Sequence, residues 1–245
     1  MNAQPVGIVT ALSSEARALA DRAVPPGQCT PLRDGGLLYL SGMGPPAARR
    51  GALALLDAGA KALVAFGVAG ALAPGLRNGT LFCPSLVIDA QGRDYQPSPA
   101  WHTTLGAQLA GTQWPVLTHG ILLSADTPVL GAHEKTAMRD RHMAVAVDME
   151  SAAVAAVATE HGLPFIVLRA IVDEHHDDVP AALQAGIDTW GRPRPMALLA
   201  ALGRHPGLLA SLPGLATRMG KATRALRDAA GAAGHQLGHE PSGPC

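Results

Sequence analysis

Residues 62–70 read Ala62-Leu63-Val64-Ala65-Phe66-Gly67-Val68-Ala69-Gly70. Five apolar residues in a row, closed by glycines, are the signature of a strand buried on both faces rather than of a half-exposed one, which would alternate. The spacing predicts a strand over 62–66, broken by Gly67-Val68-Ala69-Gly70, where backbone without side chains allows a flat ring or an anion to approach closely.

Working outward, Val6–Thr10 reads as a short buried strand and Ser13–Ala23 as a helix, with Ser13 or Ser14 as cap and Glu15 in its first turn. Leu37–Ser41 is a second strand ended by Gly42-Met43-Gly44, and Pro45-Pro46 suit the start of a helix reaching about Ala58. Further strands are expected near Leu81–Ile88, Val116–Leu123, Ala144–Val147 and Phe165–Val172, with a helix over Ser151–His161. Strands alternating with helices imply a single α/β domain of three α/β/α layers around a mostly parallel sheet. In such sheets ligands bind beyond the carboxyl ends of the strands. The domain is expected over 1–190, a helical C-terminal extension of it over 191–230, and a disordered tail over 231–245.

Composition narrows the function classes. With 19 Lys and Arg against 19 Asp and Glu the chain has no net field to attract nucleic acid. The charge is uneven: Arg192, Arg194, Arg204, Arg218, Lys221, Arg224 and Arg227 face only Asp228 and Glu240 in the last part. The stripe Arg218, Lys221, Arg224, Arg227, beside Leu215, Met219, Ala222 and Leu226, reads either as the solvated face of a docked helix or as an interfacial helix at anionic lipid. Cys29, Cys83 and Cys245 form no framework, which fits a reducing cytoplasm. No signal peptide opens the chain, and no apolar run approaches the ~18 residues of a membrane span.

Three carboxylate positions carry the chemistry. Val147-Asp148-Met149-Glu150-Ser151 places two acids at a strand–helix junction, where a carboxylate either caps the helix or accepts two hydroxyls of a ribose diol. Arg169-Ala170-Ile171-Val172-Asp173 closes an apolar strand with an acid suited to protonating a departing base. Glu15, just after the first strand, can activate water on the opposite side, the division of labour of an inverting glycosidase. Two other readings are weaker. Gly42-Met43-Gly44 resembles a dinucleotide-binding turn, but Phe66-Gly67 stands where an acidic residue must hold the ribose. Asp173-Glu174-His175-His176-Asp177-Asp178 suggests a metal, but adjacent residues point different ways.

Taken in order, these segments, with Ser41-Gly42-Met43-Gly44 and Ser124-Ala125-Asp126, make the chain similar to the purine nucleoside phosphorylase/uridine phosphorylase superfamily. The branch it resembles is the methylthioadenosine/S-adenosylhomocysteine nucleosidase-like one, which implies the nucleoside phosphorylase-like α/β/α fold with a mixed, mostly parallel sheet. The resemblance implies that Glu15 activates water and Asp173 protonates N7 of the base. It implies that Glu150 grips the ribose hydroxyls, with Asp148 beside it as a further substrate-binding residue and Met149 packing on the sugar. Ala69 and Gly70 line the nucleoside pocket, and the backbone at Val129 reads the adenine edge. Val172 stands where the family usually has Ser, and Ala71 where it has a second glycine. The stretch Gly191-Arg192-Pro193-Arg194-Pro195 with Arg204-His205-Pro206-Gly207 resembles the hopanoid-associated subfamily, which removes adenine from adenosylhopane. That implies a nucleoside substrate with a large apolar 5′ group, water or phosphate as co-substrate, no cofactor or metal, peripheral membrane contact through the C-terminal helices, and a homodimer or higher homo-oligomer. Against phosphate, no arginine precedes the Gly67 loop, and Arg49 and Arg50 fall within a helix. A general methylthioadenosine/S-adenosylhomocysteine nucleosidase and a non-catalytic nucleoside-binding module are the alternatives.

Overall fold

The axis of the molecule is a strand longer than its glycines suggest. In the computed structural model, which describes residues 5–20, 22–33, 35–178, 187–194, 204 and 208–239, β1 (Val6–Thr10), α1 (Ser13–Leu19), β2 (Cys29–Pro31), β3 (Leu37–Leu40) and α2 (Pro45–Asp57) lead into β4 (Ala62–Ala71). Gly67 and Gly70 therefore lie inside β4, not beyond its end, because neighbouring strands pair with it along its whole length. β5 (Leu81–Phe82), β6 (Leu86–Asp89), β7 (Asp94–Tyr95), α3 (Pro99–Leu109), β8 (Val116–Leu117) and β9 (Ile121–Ser124) follow. The chain ends with α4 (Ala132–His142), β10 (Ala144–Asp148), α5 (Ser151–Glu160), β11 (Phe165–Asp173) and α6 (Leu208–Ala233).

Among the described residues, six ladders are parallel and four antiparallel, so the sheet is mixed and mostly parallel as expected. The run of β4 explains its composition. Ala62, Val64 and Phe66 enter one core with α1, α3 and α6, while Leu63, Ala65, Ala69 and Ala71 enter another with α2 and α5. With period two and both faces buried, every position is apolar.

Several expectations change. Helix α1 stops at Leu19, and its N-cap is Leu12 rather than a serine, because the Glu15 carboxylate takes the free N–H groups there. The stretches 81–88 and 116–123 each hold two short strands, since the chain bends between them to serve different partners. Helices α3 and α4 stand between strands, in stretches for which the sequence analysis set no bounds. Of the helical extension expected over 191–230, residues 195–203 and 205–207 lie outside the described residues. The tail is ordered well past Gly231: α6 runs to Ala233, Leu237 is fully buried, and Trp101 Nε1 donates to the Leu237 carbonyl at 2.7 Å. Small side chains cause this order. Ala222, Ala225, Ala229 and Ala233 repeat at three and four residues and let the helix approach the sheet closely. Lys221, Arg224 and Arg227 are on its exposed face, and no helix among the described residues is long and apolar enough to cross a membrane.

Candidate active site

The site forms where the sheet changes partners. Along one edge, β4 pairs with β1 through Ala62–Ala65 and then, antiparallel, with β10 at Gly70 and Ala71. Between these ladders its edge would leave buried backbone unpaired. Glu15 fills the gap: one carboxylate oxygen accepts the Val68 N–H at 2.9 Å, and the other accepts the N–H groups of Ala11 at 2.9 Å and Leu12 at 2.8 Å. Its side chain thus ties the end of β1, the start of α1 and the middle of β4. Burial pushes the Glu15 carboxyl above its ordinary value, while the nearby Arg169 guanidinium and the three N–H groups oppose that shift.

Gly67 makes this possible. A Cβ there would lie 2.6 Å from the Glu15 carboxyl carbon and 2.5 Å from Arg169 Nη1. Arg169, 2% exposed, comes from β11 and pairs with Asp148 while donating to Ser151 Oγ at 2.9 Å. Asp148 also accepts from Ser124 Oγ at 2.8 Å and Ser151 Oγ at 2.6 Å. Both oxygens of Asp148 are therefore engaged by protein groups. It borders the cavity, but its geometry is that of a support for the β10–α5 junction.

Glu150, the next acid, is at the N-cap of α5 and does not cap it. It reaches across to accept the Gly44 N–H at 2.8 Å, which joins the starts of α5 and α2. Gly44 has φ 95°, a left-handed conformation that favours glycine. Burial first, then the adjacent Asp148 carboxylate, push Glu150 up to about 7.

On the third wall, Asp173 ends β11. The register shifts there, pairing Ile171 with Ala69 and Asp173 with Gly70, so Val172 is the extra, bulged residue. The bulge turns the Asp173 carboxylate over Gly70, where an added Cβ would come within 3.0 Å of it. The ammonium of Lys135, fully buried on α4, ion-pairs with Asp173. Burial raises the Asp173 carboxyl, and Lys135 pulls it back.

These pieces enclose a cavity of about 210 Å³. Glu15, Ala69, Gly70, Val129, Asp148, Met149, Glu150 and Asp173 all line it, so every residue expected at the site is brought to one place. Leu12, Met43, Val68, Pro128, Leu130 and Val172 complete largely apolar walls, and no arginine or lysine is among the described lining residues. A wider depression of about 420 Å³ beside Leu19, Arg22, Leu32 and Arg33 gathers no carboxylate among the described residues. Arg49, the cation nearest in sequence to the Gly44 turn, is committed on the surface to Glu160. The run 173–178 disperses: Asp173 to Lys135, Glu174 to Arg77, Asp177 to Arg218, and Asp178 to the Ala132 N–H.

Sequence reasoning missed Lys135, and Arg169, Ser151 and Ser124 as supports. Ser151 and Arg169 stood inside quoted motifs, so their nearness to acids was a usable signal. Lys135 gave none: it stands among other charged residues, Glu134, Arg139 and Asp140, outside every motif named above.

Three buried acids pushed above their ordinary values, Glu15, Glu150 and Asp173, suit proton transfer in a cleft of this kind. No curated protein matches the chain. Among solved structures it is similar to the 5′-methylthioadenosine/S-adenosylhomocysteine nucleosidase of Helicobacter pylori bound to butyl-thio-DADMe-Immucillin-A. Identity is 17%, with 94% of this chain and 99% of that one covered and a TM-score of 0.67. It is similar to the futalosine hydrolase of the same organism at 20% identity, covering 93% and 97%, with a TM-score of 0.65. The corresponding nucleosidase of Neisseria meningitidis, with methylthio-immucillin-A, gives 18% identity, coverage of 93% and 98%, and a TM-score of 0.64. The family model described as Phosphorylase superfamily matches residues 5–202, and the chain belongs to that superfamily.

Proposed function

We propose that the protein is a nucleosidase that hydrolyses the N-glycosidic bond of adenosylhopane and releases adenine. The observation that carries hydrolysis is the donor set of the walls: among the described lining residues no lysine or arginine reaches the cavity to hold a phosphate. A dianionic phosphate needs a cationic donor to offset the loss of its hydration, whereas neutral water needs only the Glu15 carboxylate. Glu150 accepts the two ribose hydroxyls, Met149 packs on the sugar, and Ala69 and Gly70 let the nucleoside lie close to β4. Backbone groups at Val129 meet the adenine edge. As the C1′–N9 bond breaks, the electron pair moves into the base and Asp173 supplies a proton to N7. Glu15 takes a proton from the water whose oxygen bonds to C1′.

The solved structures to which the chain is similar include nucleosidases and a hydrolase, which fits this class of reaction. The hydrocarbon part of the substrate rests on the subfamily resemblance and on the apolar rim of Leu12, Met43, Leu130 and Val172. The exposed Lys221, Arg224 and Arg227 offer a face for the anionic membrane in which such a substrate resides. A homodimer is part of the same proposal.

The test is adenine release by the purified protein from adenosylhopane and from 5′-methylthioadenosine, with and without phosphate, and with the lipid product identified by mass. Ribosylhopane formed without phosphate is the expected result. Cleavage of methylthioadenosine alone would overturn the lipid substrate and keep the nucleosidase. A sugar phosphate formed only with phosphate would overturn hydrolysis.

A further inference from the structure

Resting on the reading of Asp173 as the acid for N7, we infer that Lys135 is a positioning residue that sets the acidity of Asp173 from behind the cavity wall. Lys135 is fully buried although its helix otherwise carries charges that face solvent. A lysine in this state persists only when its charge is paired and all its donors are used. Both conditions hold. Its three N–H bonds go to the Asp173 carboxylate, to the Glu174 carbonyl at 2.8 Å and to the Asp177 carbonyl at 2.9 Å. This carbonyl cradle fixes the ammonium against one oxygen of Asp173, on the side away from the cavity, which Lys135 does not line.

The pairing has a consequence for each state of the reaction. While Asp173 holds its proton, the fixed cation favours release of it. Once the proton has passed to N7, the same cation stabilises the carboxylate left behind, so the stabilisation grows along the reaction coordinate. Val172 stands where the resemblance places a hydroxyl beside the acid, and the lysine supplies a donor from another element. The charges facing the pair are few. Asp177 opposes the cation's effect, Arg218 on α6 reinforces it from its ion pair with Asp177, and Glu174 is turned away to Arg77. His175 faces Thr136 on α4, and Asp178 caps the start of that helix.

The experiment compares wild type, Lys135→Met, Lys135→Arg, Arg218→Met and Asp173→Asn, each checked for native thermal unfolding. The substrate is adenosylhopane or 5′-methylthioadenosine, whichever the wild type cleaves. The pH profile of kcat/KM reports the acid of the free enzyme on its basic limb. Lys135→Met is expected to move that limb upward by about one pH unit or more, and to lower kcat at least about tenfold with KM little changed. Lys135→Arg is expected to restore the limb, and Arg218→Met to move it the same way by less. Carbon-13 titration of labelled aspartate, with the Asp173 signal assigned by its loss in Asp173→Asn, reads the same shift without substrate. If Lys135→Met fails to fold, Arg218→Met in both measurements decides the matter. Wild-type adenine release by Asp173→Asn would overturn the underlying role of Asp173. A dead Asp173→Asn enzyme, with the limb and the carbon-13 titration unmoved in the folded cation variants, would overturn the role of Lys135 alone.

Discussion

Glu150 shows how a single side chain couples the site to stability. Its carboxyl titrates at about 7 in the folded chain, because burial and Asp148 disfavour its charge, against roughly 4.3 for an unperturbed glutamate. Between these values the folded state holds a proton that the unfolded state has lost. Stability therefore falls as pH rises through this window, and the cost is complete above about 7. Glu150→Gln keeps an oxygen for the Gly44 N–H and removes the charge. We expect it to raise stability by about 1–3 kcal/mol at pH 8 and to change little at pH 4. A gain of equal size at both pH values would show that charge burial is not the cause. The same variant is expected to release adenine about a hundredfold more slowly, since a charged acceptor for two hydroxyls is lost.

At the scale of elements, β4 and α6 use glycine in opposite ways. Gly67 is held by close approach: Glu15 and Arg169 pass over it with no space for a methyl group. Gly67→Ala is expected to cost roughly 1–3 kcal/mol in chemical denaturation and to reduce turnover, because Glu15 must leave the Val68 N–H. Gly220, on the exposed side of α6, has nothing within 4 Å of an added Cβ. Gly220→Ala is expected to stabilise by about 0.5–1 kcal/mol with activity unchanged. If the two substitutions proved alike, the argument from steric approach would fail at Gly67. The bulge at Val172 belongs to this scale as well, since a regular ladder would turn Asp173 to the other face of the sheet.

For the whole molecule, the C-terminal segment is part of the core rather than an appendage. α6 packs on β11 and α1, and Leu237 returns beneath Trp101 of α3. Leu237→Ala is expected to cost about 2–4 kcal/mol in thermal or chemical unfolding. Wild-type stability would mean that residues after Ala233 are dispensable. The segment Asp188–Arg192 acts at the same scale. The Thr189 carbonyl accepts the Met43 N–H at 2.8 Å and the Trp190 carbonyl accepts the Ser13 N–H at 3.0 Å, so it joins the loops after β3 and β1 at the cavity rim.

The sequence by itself determined the layers and the acids. Two-sided burial writes itself as the apolar run 62–66, and the strand ends marked by Glu15, Glu150 and Asp173 follow from where parallel sheets bind ligands. Tertiary structure decided what depends on partners distant in the chain. Gly67 and Gly70 stay within β4 because β11 and β10 pair with them, an energy no local window contains. Residues 231–239 are ordered because alanines of α6 meet a sheet surface that fits them. Lys135 looks like any surface lysine until α4 places it against Asp173, and only then does its charge become part of the site.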